Sequence, residues 1–307
     1  MISLLNQPLG DDESDGEALF LRGLAFYRTT RLPAAIADLK RVTELPSKNQ
    51  VAWNWLGVSQ MRLGQFDEAI SSLTAAYEAN PESGDGPRAH RAVAYFLRGD
   101  VETAQTELQL LSDKDPNNFA SSVLAVLHLS RGQTEAYGKL CKRMLDHVRP
   151  NEKGFYVSES TACWISALAP IAHDDYERLL STATRFQRQF PDNQELNLNL
   201  GAALFRTGNF ELALDHLLTA TKEEDRTRTP QRGESTEASE RTGIVYAHYF
   251  LALTQHSLNQ RELAKQTLEK ANVLAAQLVV RGVSPYWKTQ ATMKLLQVEA
   301  TRVLQSE

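Results

Sequence analysis

One phrase recurs along this chain and limits its fold more than any other feature. In "MRLGQFDEAI", residues 61–70, a helix end is followed by a glycine turn and a new helix start with an alanine at fixed distance. Anchored on Ala69, similar phrases place Ala35 thirty-four residues earlier ("FYRTTRLPAAI") and Ala104 thirty-five later ("FLRGDVETAQ"). The phrase returns as "LFRTGNFELAL" around Ala213 and "QHSLNQRELAK" around Ala264. Self-similarity at such a period means stacked units, each too small to bury its apolar face alone. A chain of 307 residues, long for one core, can then grow in one dimension.

The positions inside the phrase have physical reasons. A glycine inside a helix costs roughly 1 kcal/mol against alanine, so Gly23, Gly57 and Gly201 need a close backbone approach to justify them. Gly57 and Ala69 fit the crossing of two helices, and Gly64 and Gly208 the turn that closes the first. Pro81, Pro116 and Pro191 end second helices. The set Trp53, Leu56, Gly57, Gly64, Phe66, Ala69, Leu73, Ala76 and Pro81 resembles the tetratricopeptide repeat, a helix-turn-helix unit of about 34 residues. The copy from Leu200 to Ala220 is similar to it, and looser copies surround Ala35, Ala104 and Ala264. The resemblance implies an all-α TPR-type α-solenoid, a right-handed superhelix of about seven hairpins with a C-terminal capping helix.

The pattern divides the chain as follows. Residues 1–16 form a flexible acidic N-terminus, 17–160 carry repeats 1 to 4, and 161–221 repeats 5 and 6. Residues 222–243, almost wholly charged or polar, read as a disordered loop carrying Ser235, Thr236 and Ser239. Residues 244–283 form repeat 7, and 284–307 a capping helix over its outer face. In the fourth hairpin the spacing predicts a turn one residue short. In the fifth, Pro170 closes the first helix and Asp174 with Glu177 resembles a capping box.

Composition narrows the function. With 33 Lys plus Arg against 38 Asp plus Glu, the net charge of -5 argues against nucleic acid as a partner. Cys141 and Cys163 form no CxxC and read as a buried, reduced pair. The N-terminus lacks the basic region of a signal peptide, and no apolar run reaches the ~18 residues that span a bilayer, so a cytoplasmic address without membrane contact is expected.

A narrower resemblance covers about Thr161 to Leu304. Cys163, Leu168-Ala169-Pro170, Asp175, Pro191-Asp192, Leu200 to Leu204, Arg206, Gly208 and the Trp287 helix are similar to the repeat-bearing C-terminal region of large bacterial proteins. Those proteins carry a serine/threonine kinase domain or WD-type propeller repeats upstream. The likeness implies a regulatory or docking arm of a kinase system, with such a kinase as a partner. The chain itself has no glycine-rich nucleotide loop, HRD or DFG.

No catalytic, cofactor or metal site is expected, and the chain reads as a non-enzyme. His173-Asp174-Asp175 suits the start of a helix, since neighbouring residues there point in different directions. His248 and His256 share one helix without metal-ligand spacing, and Cys163 has no adjacent base. The informative surface is the concave face, lined by the first helix of each hairpin. Counting from the repeat gives Phe20, Tyr27, Asn54, Met61, Phe96, Leu198, Phe205, Tyr249 and His256 as partner-binding residues. Leu24, Val58, Ala89, Val93, Ala202 and Leu253 lie between them. Such an apolar strip either binds a protein, as a helix or peptide in the groove, or is covered by the chain's own curvature or tail.

Overall fold

The computed structural model describes residues 16–45, 49–148, 156–171, 173–222, 237–280 and 287–306. Among these there is no strand. The helices are α1 Gly16–Arg28, α2 Leu32–Glu44, α3 Gln50–Arg62, α4 Phe66–Ala79, α5 Asp85–Arg98, α6 Val101–Lys114, α7 Phe119–Ser130 and α8 Thr134–Asp146. They continue as α9 Tyr156–Ala167, α10 His173–Gln189, α11 Gln194–Arg206, α12 Phe210–Ala220, α13 Glu237–Ser257, α14 Arg261–Val280 and α15 Trp287–Gln305. A 3-10 turn, Pro81–Ser83, follows α4. The acidic stretch before Gly16 lies outside the described residues.

Six of the seven hairpins turn in the same way. The residue two beyond the first helix, or one beyond it in the third hairpin, adopts left-handed backbone: Thr30 (φ 60°), Gly64 (82°), Gly99 (107°), Gly132 (70°), Gly208 (78°) and Asn259 (60°). The next residue donates its N–H five residues back, as in Gln65 to Gln60 O at 3.0 Å and Asn209 to Leu204 O at 2.9 Å. This satisfies carbonyls that a helix end leaves orphaned. Glycine adopts that conformation freely and asparagine tolerates it, whereas Thr30 is β-branched and strained there.

The hairpin crossing is a steric fit. A Cβ on Gly57 would lie 2.5 Å from Leu73 Cγ and 3.1 Å from Ala69 O, and one on Gly201 2.7 Å from Leu217 Cγ. Gly23 meets Leu39 at 3.0 Å in the same way. Ala35, Ala69, Ala104, Ala213 and Ala264 are all fully buried. In two hairpins a side chain one step further along adds an ion pair, Arg22 with Asp38 and Arg91 with Glu107.

The fourth hairpin corrects the short-turn expectation. Gly132 stands seven residues after Ala125, as Gly64 stands seven after Gly57, so the turn has full length. Tyr137, not Ala136, takes the crossing position, and Cys141 replaces the leucine found four residues on. Both are fully buried. A large residue at the small site and a small one at the large site roughly conserve the volume of the pair, which packed interiors tolerate. The Tyr137 hydroxyl donates to Ile165 O at 2.6 Å and accepts from Ala169 N at 3.1 Å, tying this hairpin to the next.

The chain forms two compact units, Met1–Asp115 and Pro116–Glu307. The first holds hairpins 1 to 3. The second holds hairpins 4 to 7 with α15. Within the second unit the first helices pack side by side, α7 on α9, α9 on α11 and α11 on α13. Two further expectations change. Residues 237–243 belong to α13 and are not loop, because Glu237, Ala238, Glu240 and Arg241 are good helix formers that extend the apolar helix behind them. And α15 does more than cover the last hairpin: it packs on α13, on α14 and back on α7.

Candidate interaction face

The left-handed turn residue gives six of the first helices the same ruler. Asn54 is ten residues before Gly64 and Arg62 two before it. By the same count Ser122 and Leu198 correspond to Asn54, Arg206 to Arg62, and Phe119 and Tyr246 to Val51. Of these, only the position of Asn54 and Leu198 is among those counted as groove-lining from the sequence.

In the first unit the face is partly accessible. Phe20, Tyr27, Asn54 and Phe96 are half-buried, and Val51 is 51% exposed. Phe20 packs on the cluster of Leu19, Val42 and Ala52. Tyr27 meets Trp55 edge-on at 5.1 Å between ring centres, and the Arg62 guanidinium lies 4.7 Å over the Tyr27 ring. Asn54 Oδ1 lies 2.9 Å from His90 Nδ1 and bridges α3 to α5. Burial pushes the His90 imidazole down to about 4, so it is neutral near pH 7. Met61 is an interior side chain at 5% exposure and does not line an open groove.

In the second unit the face is filled. Leu198 and Tyr249 are buried, at 3% and 1% exposure, the covered one of the two alternatives for this strip. The Tyr249 hydroxyl donates to Asn272 Oδ1 at 3.1 Å. Phe205 is half-buried, its ring 5.9 Å from that of Phe250 and 5.8 Å from that of Phe210, and His256 is half-buried at the end of α13. The intervening Val58, Ala89, Val93, Ala202 and Leu253 are interior as well. Regular side-chain spacing marks a face of the helix; it carries no information on what stands opposite.

What stands opposite is α15. Arg206 donates to both carboxylate oxygens of Glu299, at 2.5 and 2.8 Å, and to Ala167 O and Leu168 O, each at 2.8 Å. It therefore binds α15 and the C-terminal end of α9 at once. Lys288 donates to Ser122 Oγ at 3.0 Å and lies 5.1 Å over the Phe119 ring. Desolvation lowers its amine to about 8. The Tyr246 hydroxyl reaches Thr289 O at 3.4 Å, and its ring stacks on Trp164 at 4.8 Å. Neither Arg206 nor Glu299 was singled out by the sequence as a pair, since 93 residues separate them.

Three sets of tetratricopeptide repeat matches cover residues 20–84 with 169–227, 60–127, and 245–276. The chain belongs to the tetratricopeptide repeat family. It is 30% identical over 112 residues to tetratricopeptide repeat protein 37 of Xenopus laevis, covering 36% of this chain but only 7% of that protein. A tetratricopeptide repeat protein from Parabacteroides merdae has a similar fold, with TM-score 0.52 and 16% identity over 92% of this chain and 98% of that one. The TPR2AB domain of yeast Sti1, solved as a complex with pHSP90, aligns over 94% of this chain and 99% of its own at TM-score 0.35 and 18% identity. None of these similarities bears on the kinase-associated resemblance of residues 161–304.

Within this tetratricopeptide array, Cys141 and Cys163 are free and buried, as expected. Burial pushes the Cys141 thiol up to about 12, so it is a poor nucleophile. His248 is buried, its Nδ1 2.8 Å from Ile244 O. Asp175 is buried and pairs with Lys142 at 3.3 Å, while the side chains of His173 and Asp174 lie outside the described residues, as do Ser235 and Thr236. Among the described residues no cluster of three or more His, Cys, Asp or Glu is placed to hold a metal, and no helix is long and apolar enough to cross a membrane.

Proposed function

We propose that this protein is a non-catalytic interaction scaffold that holds a partner polypeptide on the inner faces of its first helices. The observation that carries this reading is α15 itself: an amphipathic helix packs on first helices of the second unit, engaging three repeats through Ser122, Arg206 and Tyr246. The corresponding positions of the first unit, Val51, Asn54 and Arg62, are at least partly accessible and would receive an external chain. A cytoplasmic partner protein fits the free buried thiols.

A photoreactive residue placed at Val51 or Phe96 tests this in the native host. Crosslinks to one partner chain are expected there, with helicity unchanged. Crosslinks confined to outer positions such as Glu68 would overturn the reading. The narrower form, a docking arm serving a bacterial serine/threonine kinase, rests on the sequence resemblance of residues 161–304, and a kinase domain among the crosslinked chains is its test.

A further inference from the structure

The contacts of α15 fall on the ruler of the repeat. Phe119 and Tyr246 stand thirteen residues before their turns, Ser122 ten and Arg206 two. All four face α15. A helix packed merely to close the end of a stack needs only the last hairpin; this one reaches back to α7, three hairpins earlier. Its own side chains have the spacing of a groove ligand: Thr292, Leu296 and Ala300 at intervals of four, joined by Met293, are its buried set. Its carboxylate, Glu299, meets the guanidinium of Arg206, whose side chain is 5% exposed.

We propose that α15 is the resident ligand of the second unit's inner face, and that the external partner replacing it is an amphipathic helix with the same apolar seam and a carboxylate in the place of Glu299. The proposal rests on the inner-face reading above. It deepens that reading by naming the chemistry of the partner and the event that admits it. Arg206 sets the requirement. Its guanidinium already donates to Ala167 O and Leu168 O, so without a carboxylate its remaining donors are left buried and unpaired. An incoming helix must bring that carboxylate, and a neutral or basic residue at the same place excludes its bearer. Tethered in cis, α15 competes at an effective concentration in the mM range, so an intact chain takes such a helix weakly until the tether's contacts are loosened.

The test titrates a labelled peptide of residues 287–306 into the full chain. The unaltered protein is expected to bind it weakly. Glu299→Arg in the chain, which unlatches α15 but keeps Arg206, should bind the peptide at least tenfold more tightly. Adding Arg206→Glu restores the latch in cis with reversed charge and should abolish the gain. A folded Glu299→Arg chain with no gain overturns the proposal, and so does loss of the second unit's helicity, which would make α15 an integral part of the core. A Glu299→Arg chain that dimerises by exchanging α15 overturns the external partner in favour of a second copy. Amide exchange on the unaltered chain provides a further measurement: α15 must open more readily than α13, and equal protection overturns displacement. A negative titration with positive crosslinks at Val51 removes only the displacement; loss of both removes the inner-face reading.

Discussion

Arg62 and Arg206 occupy the same place in their hairpins, two residues before a left-handed glycine, and meet different surroundings. Arg62 lies over the Tyr27 ring and reaches Tyr27 O at 3.4 Å. Arg206 is buried under α15 and holds Glu299 with two backbone carbonyls. The helices repeat the contrast. In α11 every residue from Leu196 to Leu204 is buried, whereas α3 keeps Trp53, Asn54 and Trp55 partly exposed. One architecture therefore gives a surface in the first unit and an interior in the second. At Arg206 the difference is made by a helix added from outside the repeat.

The largest expected effect separates the two arginines. Arg206→Met leaves Glu299 and two carbonyls without their donor and should cost about 3–5 kcal/mol in denaturant unfolding. Arg62→Met should cost about 1 kcal/mol or less, because its contacts are one cation–π and one long hydrogen bond. Equal losses would break the comparison.

The crossing, by contrast, should behave alike in both units. Gly57→Ala and Gly201→Ala are each expected to destabilise by about 1–3 kcal/mol through overpacking on leucine, despite alanine's advantage in a helix. Gly138→Ala is the control. A Cβ there meets nothing within 4 Å, so it should stabilise by up to about 1 kcal/mol. A stabilising Gly201→Ala would show that the second unit lacks the tight crossing.

Next in size is the turn. Thr30→Gly relieves left-handed strain and should stabilise the first unit by about 1 kcal/mol, while Gly208→Thr should cost the second a similar amount, both read from thermal unfolding.

The smallest effects are in pH, on opposite sides of neutrality. The His90 imidazole is lowered from 6.5 to about 4, so the unfolded chain binds the extra proton between those values. The first unit should lose stability as pH falls through that window, and His90→Gln should flatten the loss. The Lys288 amine is lowered from 10.5 to about 8, so an undocked α15 holds a proton that the docked one releases. Protection of α15 should rise from pH 8 towards 10.5, and Lys288→Met should remove the rise. Regional amide exchange reads both.

Much of the fold was legible because its rules act at single positions. Gly57, Gly201 and the buried alanines announce themselves by size, and Gly64 and Gly208 by backbone conformation. The fourth hairpin was misread because its sizes are exchanged between two positions: Tyr137 and Cys141 each break the pattern, and only together do they keep it. Among the groove residues, the ruler fixes positions along a helix but not what stands opposite them. Met61, Leu198 and Tyr249 are apolar where the helix looks inward, and an apolar residue satisfies an exposed binding strip and a covered one equally well.

The sequence by itself determined the hairpin, its turn and the close crossing, because each depends on contacts within about 34 residues that a repeating pattern can write. Tertiary structure alone decided that Glu299 finds Arg206 and that α15 packs on α13 and back on α7 rather than only over the last hairpin. An amphipathic seam specifies that a helix must be covered on one side; which of two apolar surfaces covers it depends on where a single buried charge finds its partner.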